Sequence, residues 1–107
     1  METQISGGDS KVIIRLIGRF DFSSHREFRD TMSDALKAVG DGDELWVDLS
    51  GVEYLDSSAL GMLLILRDKA SNIRCEVILS NCKGAVKQVI EIANFNKLFR
   101  LQNDPEA

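Results

Sequence analysis

Two serines follow an aspartate at Asp56-Ser57-Ser58, directly before a mostly apolar run from Ala59 to Leu66. An aspartate or serine in this position accepts hydrogen bonds from free N–H groups of the first helical turn, which stabilises the helix by about 1 kcal/mol. Capping of this kind needs only one of the three residues. A second serine hydroxyl at the same place is suited to phosphorylation, because the helix dipole tolerates added negative charge there.

Helical spacing divides the apolar run into two stripes. One stripe consists of Ser58, Met62, Ile65 or Leu66, and Lys69. The other consists of Leu60, Leu63, Leu64 and Arg67. If the second stripe packs into the core, Ser58 heads a partly exposed apolar strip that includes Met62 and can dock a partner. A phosphate of about −1.5 to −2 charges would then displace that partner, and Asp56 and a nearby Asp21 would add repulsion. Simple core packing of Met62 is equally compatible with the sequence.

A serine hydrolase is the enzymatic alternative. Ser58, His25 and either Asp21 or Asp56 supply the side-chain types that acyl transfer needs. The chain has neither a nucleophile elbow (G-x-S-x-G) nor a glycine motif for nucleotides. A histidine in a first helical turn is more often a solvated residue, so we expect a protein that is not an enzyme.

Two cysteines and one histidine are the candidate soft metal ligands of the chain. The C-x6-C spacing of Cys75 and Cys82 matches no zinc motif, and a single histidine cannot complete a Cys/His site. We expect both cysteines to be reduced and structural. The sequence therefore predicts no metal site.

The length and charge of the chain argue against several other classes of protein. A chain of 107 residues, 44% of them apolar, is typical of one domain over 1–107. No apolar run approaches the roughly 20 residues of a membrane span, and the N-terminus lacks the pattern of a signal peptide. We therefore expect a cytoplasmic protein without membrane contact. The net charge of −4, with six acids and no base between Asp41 and Asp56, argues against nucleic-acid binding.

Apolar periodicity predicts four to five strands and about three to four helices. The predicted strands are 2–6, 11–17, 44–49, 74–79 and 97–101, with turns at Gly7 to Ser10 and at Ser50-Gly51, and with Gly18 as a strand end. The first helix follows a cap at Ser23 or Ser24 and has the inner residues Phe28, Met32, Ala35, Leu36 and Val39. The second runs to about Ala70. The third follows a cap at Ser80 or Asn81 and has the inner residues Val86, Val89, Ile90 and Ala93. Residues 102–107 are expected to fray.

This order of elements predicts an α/β fold. Strands and helices alternate after the opening hairpin, so the sheet should be mixed but mostly parallel. The carboxyl ends of the strands and the N-termini of the helices then meet at one edge, where ligands of α/β proteins usually bind. That edge should bring together residues 21–25, 56–58 and 80–83.

The segment around the two serines resembles the signature of STAS domains, the family of anti-sigma factor antagonists. The resemblance rests on Val47 to Gly61 (VDLSGVEYLDSSALG) and on Gly18 to Asp21 (GRFD), and the order of elements extends it to nearly the whole chain. Ala59 stands where the family often has glycine. The resemblance implies a single STAS-like domain.

The same resemblance implies a bacterial partner switch. Its phosphoacceptor would be Ser58, flanked by Asp21, Asp56 and Ser57, with Gly61 as a close-packing position. A GHKL-type serine kinase, which is also the anti-sigma factor, would supply ATP and Mg²⁺, and a PP2C-type phosphatase would reverse the step. The unphosphorylated form would bind the anti-sigma factor and release its target, which regulates transcription. The partner surface is assigned to Met62, Ile65, Leu66, Ser24 and His25.

Other readings of the function stay open. The segment Phe20 to Arg29 resembles single-domain STAS regulators of biofilm or motility, whose effectors are not always sigma factors. A small-ligand sensor or weak hydrolase would use a pocket near Ser58 and His25, and a constitutive scaffold would be indifferent to Ser58. Short edge strands are compatible with a monomer.

Overall fold

Five strands and three α-helices alternate along residues 1–103, the part of the chain that this computed structural model describes. They are β1 (Glu2–Gly8), β2 (Lys11–Phe20), α1 (His25–Ala38), β3 (Glu44–Leu55), α2 (Ser57–Ser71), β4 (Glu76–Ser80), α3 (Gly84–Ile92) and β5 (Arg100–Gln102). Short 3₁₀ turns lie at Phe22–Ser24 and Phe95–Lys97. The sheet order is β1-β2-β3-β4-β5, with β1 antiparallel to β2 and all other pairs parallel. The predicted mixed, mostly parallel α/β fold is confirmed.

The hydrophobic core lies on one face of this sheet. Alternate residues of β2, β3 and β4 enter it, namely Val12, Ile14, Leu16, Leu45, Val47, Leu49, Val77 and Leu79. Buried residues of the helices join the same cluster, namely Phe28, Met32, Ala35, Leu63, Leu66, Val86 and Ile90. All three helices therefore cover the same face, and the inner residues predicted for α1 and α3 lie in this core or pack against it. Trp46 and Ile78 are buried outside this cluster, and the Lys11 ammonium lies 3.9 Å from the Trp46 ring centroid.

Strand β3 is the longest element of the sheet, and the predicted turn at Ser50-Gly51 is wrong. The strand continues through this dipeptide to Leu55. Arg15 pairs with Asp48 but Ile17 pairs with Gly51, so β3 has one more residue than β2 over this interval. Such a bulge bends the strand without ending it. The extra length carries the end of β3 to the end of β2, where the candidate site lies.

Other predicted boundaries also shift. Gly18 does not end β2, which continues to Phe20 with Gly18 at φ +102°. The third helix begins after Lys83 instead of Ser80 or Asn81. Gln102 pairs with Ser80 in β5, so the predicted frayed segment is wrong at its first residue. Asn103 follows β5 outside any helix or strand, and 104–107 lie outside the described residues.

A buried carboxylate anchors the centre of the sheet on the face away from the helices. Asp48 accepts from the Arg15 Nε at 3.0 Å, from the Ser50 N–H at 2.9 Å and from the Asn81 side chain at 3.1 Å. Burial raises the pKa of Asp48, but the hydrogen bonds from Ser50, Asn81 and Arg15 outweigh it and hold the pKa below its usual value. The carboxylate therefore stays ionised and joins β2, β3 and the end of β4.

Gly51 provides a test of the bulge. A Cβ at this position would lie 3.0 Å from the Leu16 carbonyl oxygen and 3.1 Å from the Ile17 Cγ1. We expect Gly51→Ala to destabilise the fold by about 1–3 kcal/mol, since the backbone of β2 has to move. Urea denaturation measures the change, with Gly7→Ala as the control because a Cβ there meets nothing within 4 Å. Equal stability of the Gly51 variant and the wild type would show that the bulge adjusts freely.

Candidate functional site

The Asp56 carboxylate joins the ends of the two central strands. Its Oδ1 accepts from the Ala59 N–H at 2.9 Å, which caps α2, and its Oδ2 accepts from the Phe22 N–H at 3.1 Å. The Asp56 N–H in turn donates to the Phe20 carbonyl at 3.3 Å. The capping role predicted for this segment is confirmed for Asp56. The same carboxylate also holds the turn after β2 against the N-terminus of α2.

Asp21 lies on this turn and supplies a second carboxylate. It caps the 3₁₀ turn at Phe22–Ser24 and accepts from the Ser23 hydroxyl at 2.6 Å and from the Ser23 N–H at 3.0 Å. The Ser23 hydroxyl is the main cause that lowers the pKa of Asp21, and Arg19, at 3.4 Å, adds to it. The Arg19 guanidinium also lies 4.2 Å from the Tyr54 ring centroid. The turn therefore presents a negative charge close to the first turn of α2.

Ser57 and Ser58 are both exposed in the first turn of α2. No hydrogen bond within residues 1–103 involves the Ser58 hydroxyl. Asp56 satisfies the N–H of Ala59, whereas the N–H groups of Ser57 and Ser58 precede the first residues that have an intrahelical acceptor. The hydroxyl is thus accessible, and within residues 1–103 these two N–H groups of the same turn have no acceptor.

The exposed strip predicted for α2 is wrong in part. Met62 is 5% exposed and Leu66 is 0% exposed, so neither belongs to an exposed strip that a partner protein could cover. The buried stripe takes residues from both predicted stripes, namely Ala59, Met62, Leu63, Leu66 and Ala70. The physical reason is that α2 packs against both the sheet and α1, which buries a face wider than one stripe. Ile65, at 46%, is exposed as predicted, and Leu64, at 40%, joins it.

Exposed apolar residues lie near the two serines although Met62 and Leu66 are buried. Leu64 follows Ser57 and Ile65 follows Ser58 at a spacing of seven residues, so each pair shares a side of α2, and the two sides are about 100° apart. Phe22 is 78% exposed, and the Asp56 hydrogen bond holds its backbone at the start of α2. We call Phe22, Leu64 and Ile65 the docking patch. Sequence reasoning missed Phe22, although an aromatic residue inside a polar turn was the available signal.

Gly61 lies between the serines and the docking patch. A Cβ at this position would meet nothing within 4 Å. The predicted close packing is therefore wrong within residues 1–103, because beyond its chain neighbours and the backbone of its own helix no described atom lies within 4 Å of that position. A glycine inside a helix destabilises it by about 1 kcal/mol relative to alanine.

Ser24 and His25 occupy different environments. Ser24 is 1% exposed, and its hydroxyl accepts from the Asp21 N–H at 3.2 Å and donates to the Arg19 carbonyl at 2.9 Å. It therefore stabilises the turn, and its predicted contact with a partner is wrong. Ser24 does precede α1, as predicted, but makes no side-chain capping bond to it. His25 is exposed at the start of α1.

The enzymatic and metal alternatives find no assembled site in the described part of the chain. Over residues 1–103, His25 forms no hydrogen bond with Ser58, Asp21 or Asp56. The cavity that His25 lines runs between α1 and α2 and does not include Ser58. No group of three His, Cys, Asp or Glu side chains that could hold a metal occurs in the same range. Burial raises the pKa of Cys82 to about 11, which keeps its thiol protonated.

The third segment predicted at the site lies elsewhere. Ser80 ends β4 opposite Asp48, whereas β3 continues to Leu55, roughly 20 Å farther along the strand at about 3.3 Å per residue. The loop 81–83 therefore begins beside Asp48 in the middle of β3, and not at the end of β3 where Ser57 and Ser58 lie. The site consists of the ends of β2 and β3, the turn after β2 and the first half of α2. No helix of residues 1–103 has the length and apolar character needed to cross a membrane.

Comparison with known proteins establishes the family. The family model of the STAS domain matches residues 1–107. The STAS-domain containing protein PA14_20770 of Pseudomonas aeruginosa is 41% identical over 97 residues, which is 90% of this chain and 92% of that protein. The chain therefore belongs to the STAS domain family, and the resemblance found in its sequence is confirmed.

Solved structures share the fold over almost the whole chain. TM1081 of Thermotoga maritima has a TM-score of 0.84 at 19% identity, covering 97% of this chain and 88% of its own. An anti-sigma factor antagonist of Mycobacterium paratuberculosis has a TM-score of 0.78 at 20% identity, covering 98% and 87%. The phosphorylated form of SpoIIAA, a Bacillus cell fate determinant, has a TM-score of 0.73 at 20% identity, covering 98% and 93%. The architecture is that of anti-sigma factor antagonists.

Asp56 provides a test of the site. We expect Asp56→Ala to destabilise the fold by about 1–2 kcal/mol, since it removes the cap of α2 and the acceptor of the Phe22 N–H. Asp56→Asn should lose less, because its single carbonyl oxygen can still cap the helix. Thermal unfolding of the three proteins measures this order. If Asp56→Asn proved as damaging as Asp56→Ala, the account of the cap would be wrong.

Proposed function

We propose that this protein is a phosphorylation-controlled binding module in which Ser58 is the phosphoacceptor. Unphosphorylated, it binds an anti-sigma factor that is also a serine kinase, and phosphorylation releases it. The single observation that carries the proposal is the Ser58 hydroxyl, exposed and unbonded within residues 1–103, at a capped helix N-terminus beside an apolar docking patch. The STAS fold and the likeness to SpoIIAA, which has been solved in unphosphorylated and phosphorylated forms, support it.

The electrostatics of the site make such a switch effective. A phosphate on Ser58 adds about −1.5 to −2 charges. The unpaired N–H groups of the first turn and the helix dipole stabilise this charge in the free protein. Asp21 and Asp56 already make the electrostatic potential around Ser58 negative. A partner that binds beside these two carboxylates therefore meets a much more negative potential after phosphorylation. The modification therefore weakens the complex without unfolding the domain.

Burial of the docking patch gives the unphosphorylated protein its affinity for the partner, and the phosphate opposes this burial. Phe22, Leu64 and Ile65 expose apolar area next to the two serines. We expect a partner that buries Phe22 and Ile65 to cover Ser58 as well, because Phe22 is held at the start of α2 and Ile65 follows Ser58 two turns later. The phosphate would then be buried against apolar groups, which is strongly unfavourable for a charge.

The reaction itself requires groups that this chain does not supply. We propose that a GHKL-type kinase provides ATP and Mg²⁺, and that a PP2C-type phosphatase removes the phosphate in the cytoplasm. The role of this chain is to present the Ser58 hydroxyl and to bind, and we propose no catalysis by the chain itself.

Variants of Ser58 test the switch. The partner is isolated from the native cell by affinity purification with the full chain, identified, and titrated by calorimetry. We expect Ser58→Asp to weaken binding at least tenfold, about 1.4 kcal/mol, because it adds charge under the partner. Ser58→Ala should bind like the wild type. Ser6→Asp, which adds the same charge on the exposed edge strand β1, is the matched control and should not change binding.

These outcomes separate the alternatives. Unchanged binding by both Ser58 variants would favour a constitutive scaffold and overturn the switch. A partner that is neither a kinase nor an anti-sigma factor, but whose binding is lost in Ser58→Asp, would keep the phosphorylation switch and contradict the sigma-factor output. Stoichiometric labelling of Ser58 by a serine-reactive probe, abolished by His25→Ala, would instead indicate a hydrolase.

Gly61 offers a second test, in which stability and binding change in opposite directions. We expect Gly61→Ala to stabilise the fold by about 1 kcal/mol, because the added methyl meets nothing within 4 Å and alanine favours the helix. The same methyl protrudes between Ser58 and Ile65, so the affinity for the partner should fall at least tenfold. Denaturation and calorimetry measure the two effects. Gln88→Ala, on the exposed face of α3, is the control for affinity. A more stable variant with unchanged affinity would place the interface away from Gly61.

A further inference from the structure

A groove of about 480 Å³ runs along the surface between α1 and α2 and is separate from the phosphoacceptor. Its apolar floor consists of the buried side chains of Phe28, Met32 and Met62, and the more exposed Leu36 and Ile65 line it as well, Ile65 being shared with the docking patch. Methionine side chains are flexible and polarisable, which lets such a floor adapt to an alkyl chain. Along α1 the groove extends from His25 to Lys37, roughly 18 Å at about 1.5 Å per residue.

The lining of this groove is basic although the chain as a whole is acidic. Arg29, Lys37 and Lys69 line it, no carboxylate does, and the net charge of the chain is −4. Within residues 1–103 none of these three cations forms an ion pair. Lys37 and Lys69 stand in the last turns of two helices that each follow a strand of the parallel part of the sheet. Both ammonium groups therefore lie at the same end of the groove.

We propose that the α1–α2 groove binds a long-chain carboxylate. The alkyl chain lies along Leu36 and Ile65, over the floor formed by Phe28, Met32 and Met62, and the carboxylate lies between Lys37 and Lys69. The stem of Arg29 covers the chain from the side, as long cationic side chains do on apolar surface. The volume falls within the range of about 300–1,000 Å³ that small-molecule sites occupy.

Size and shape distinguish this occupant from a partner helix or a membrane. A helix about 10 Å wide and as long as the groove would fill roughly 1,400 Å³, so only one row of its side chains could enter. A bilayer binds protruding apolar residues, and of the apolar residues that line the groove Ile65 alone is exposed, at 46%, whereas Phe28, at 1%, and Met62, at 5%, lie at the bottom of a concave surface. A single flexible chain enters the groove whole and reaches this floor.

Titration of the full chain with dodecanoate below its micelle concentration tests the proposal. Calorimetry should give one saturable site. With ¹³C-labelled methionine methyl groups, the signals of Met32 and Met62 should shift, whereas that of Met1, which does not line the groove, should not. Dodecyltrimethylammonium has the same chain with the opposite charge and should bind at least tenfold more weakly. Equal affinity for the two amphiphiles would overturn the proposal.

Variants locate the ligand. The double substitution Lys37→Gln with Lys69→Gln should weaken dodecanoate binding at least tenfold, whereas Lys87→Gln with Lys97→Gln, at exposed lysines elsewhere, should not. Ser33 is exposed on the groove wall, so Ser33→Trp should block the site while the far-UV circular dichroism stays unchanged. Binding that survives both changes contradicts the proposal. So does binding to anionic phospholipid vesicles without binding of monomeric dodecanoate, which would indicate a membrane surface. Ser58 takes no part in these tests, so their failure is distinguishable from failure of the switch.

Discussion

One carboxylate holds the candidate site together. The two oxygens of Asp56 accept from the Ala59 N–H and from the Phe22 N–H, so a single side chain caps α2 and fixes the turn that carries Asp21. If either bond were lost, Phe22 and Ser58 would no longer share a defined surface. The length of β3 and the bulge at Gly51 are needed for the same reason, since they bring Asp56 to the level of Phe20.

The residues that stabilise the site are different from the residues that we assign to signalling. The groups that stabilise the site, Asp56 and the hydroxyl of Ser24, are partly or fully buried and already have hydrogen-bond partners. The groups that we assign to signalling are exposed, and the Ser58 hydroxyl has no internal bond within residues 1–103. Modification of Ser58 therefore removes no interaction from the fold. It changes the charge of a surface whose geometry stays constant.

Much of this was accessible from the sequence, for identifiable reasons. The 3.6-residue period of Phe28, Met32 and Ala35 correctly predicted the buried face of α1. The alternation in Leu45, Val47 and Leu49 correctly predicted the residues of β3 that enter the core, although Trp46 and Asp48 on its other face are buried as well. Helix α2 packs against both the sheet and α1, so its periodicity was ambiguous and Met62 and Leu66 were placed on the wrong face. Glycine is common in turns and also in β-bulges, so the residue type alone did not distinguish them. For this reason a turn was predicted at Ser50-Gly51, where β3 in fact continues through a bulge. Asp56 was identified as a capping candidate, but its bond to Phe22 spans 34 residues, and no local pattern encodes it.

The most direct test of the central claim is the phosphorylation state of the protein in its native cell. Affinity purification under several growth conditions, followed by intact-mass and phosphopeptide mass spectrometry, detects a phosphoryl group as an increase of about 80 Da and assigns it to a residue. The account predicts a singly phosphorylated form that maps to Ser58 and a kinase that co-purifies with the unphosphorylated form. A protein that carries no phosphate under any condition and still holds a stable partner would contradict it.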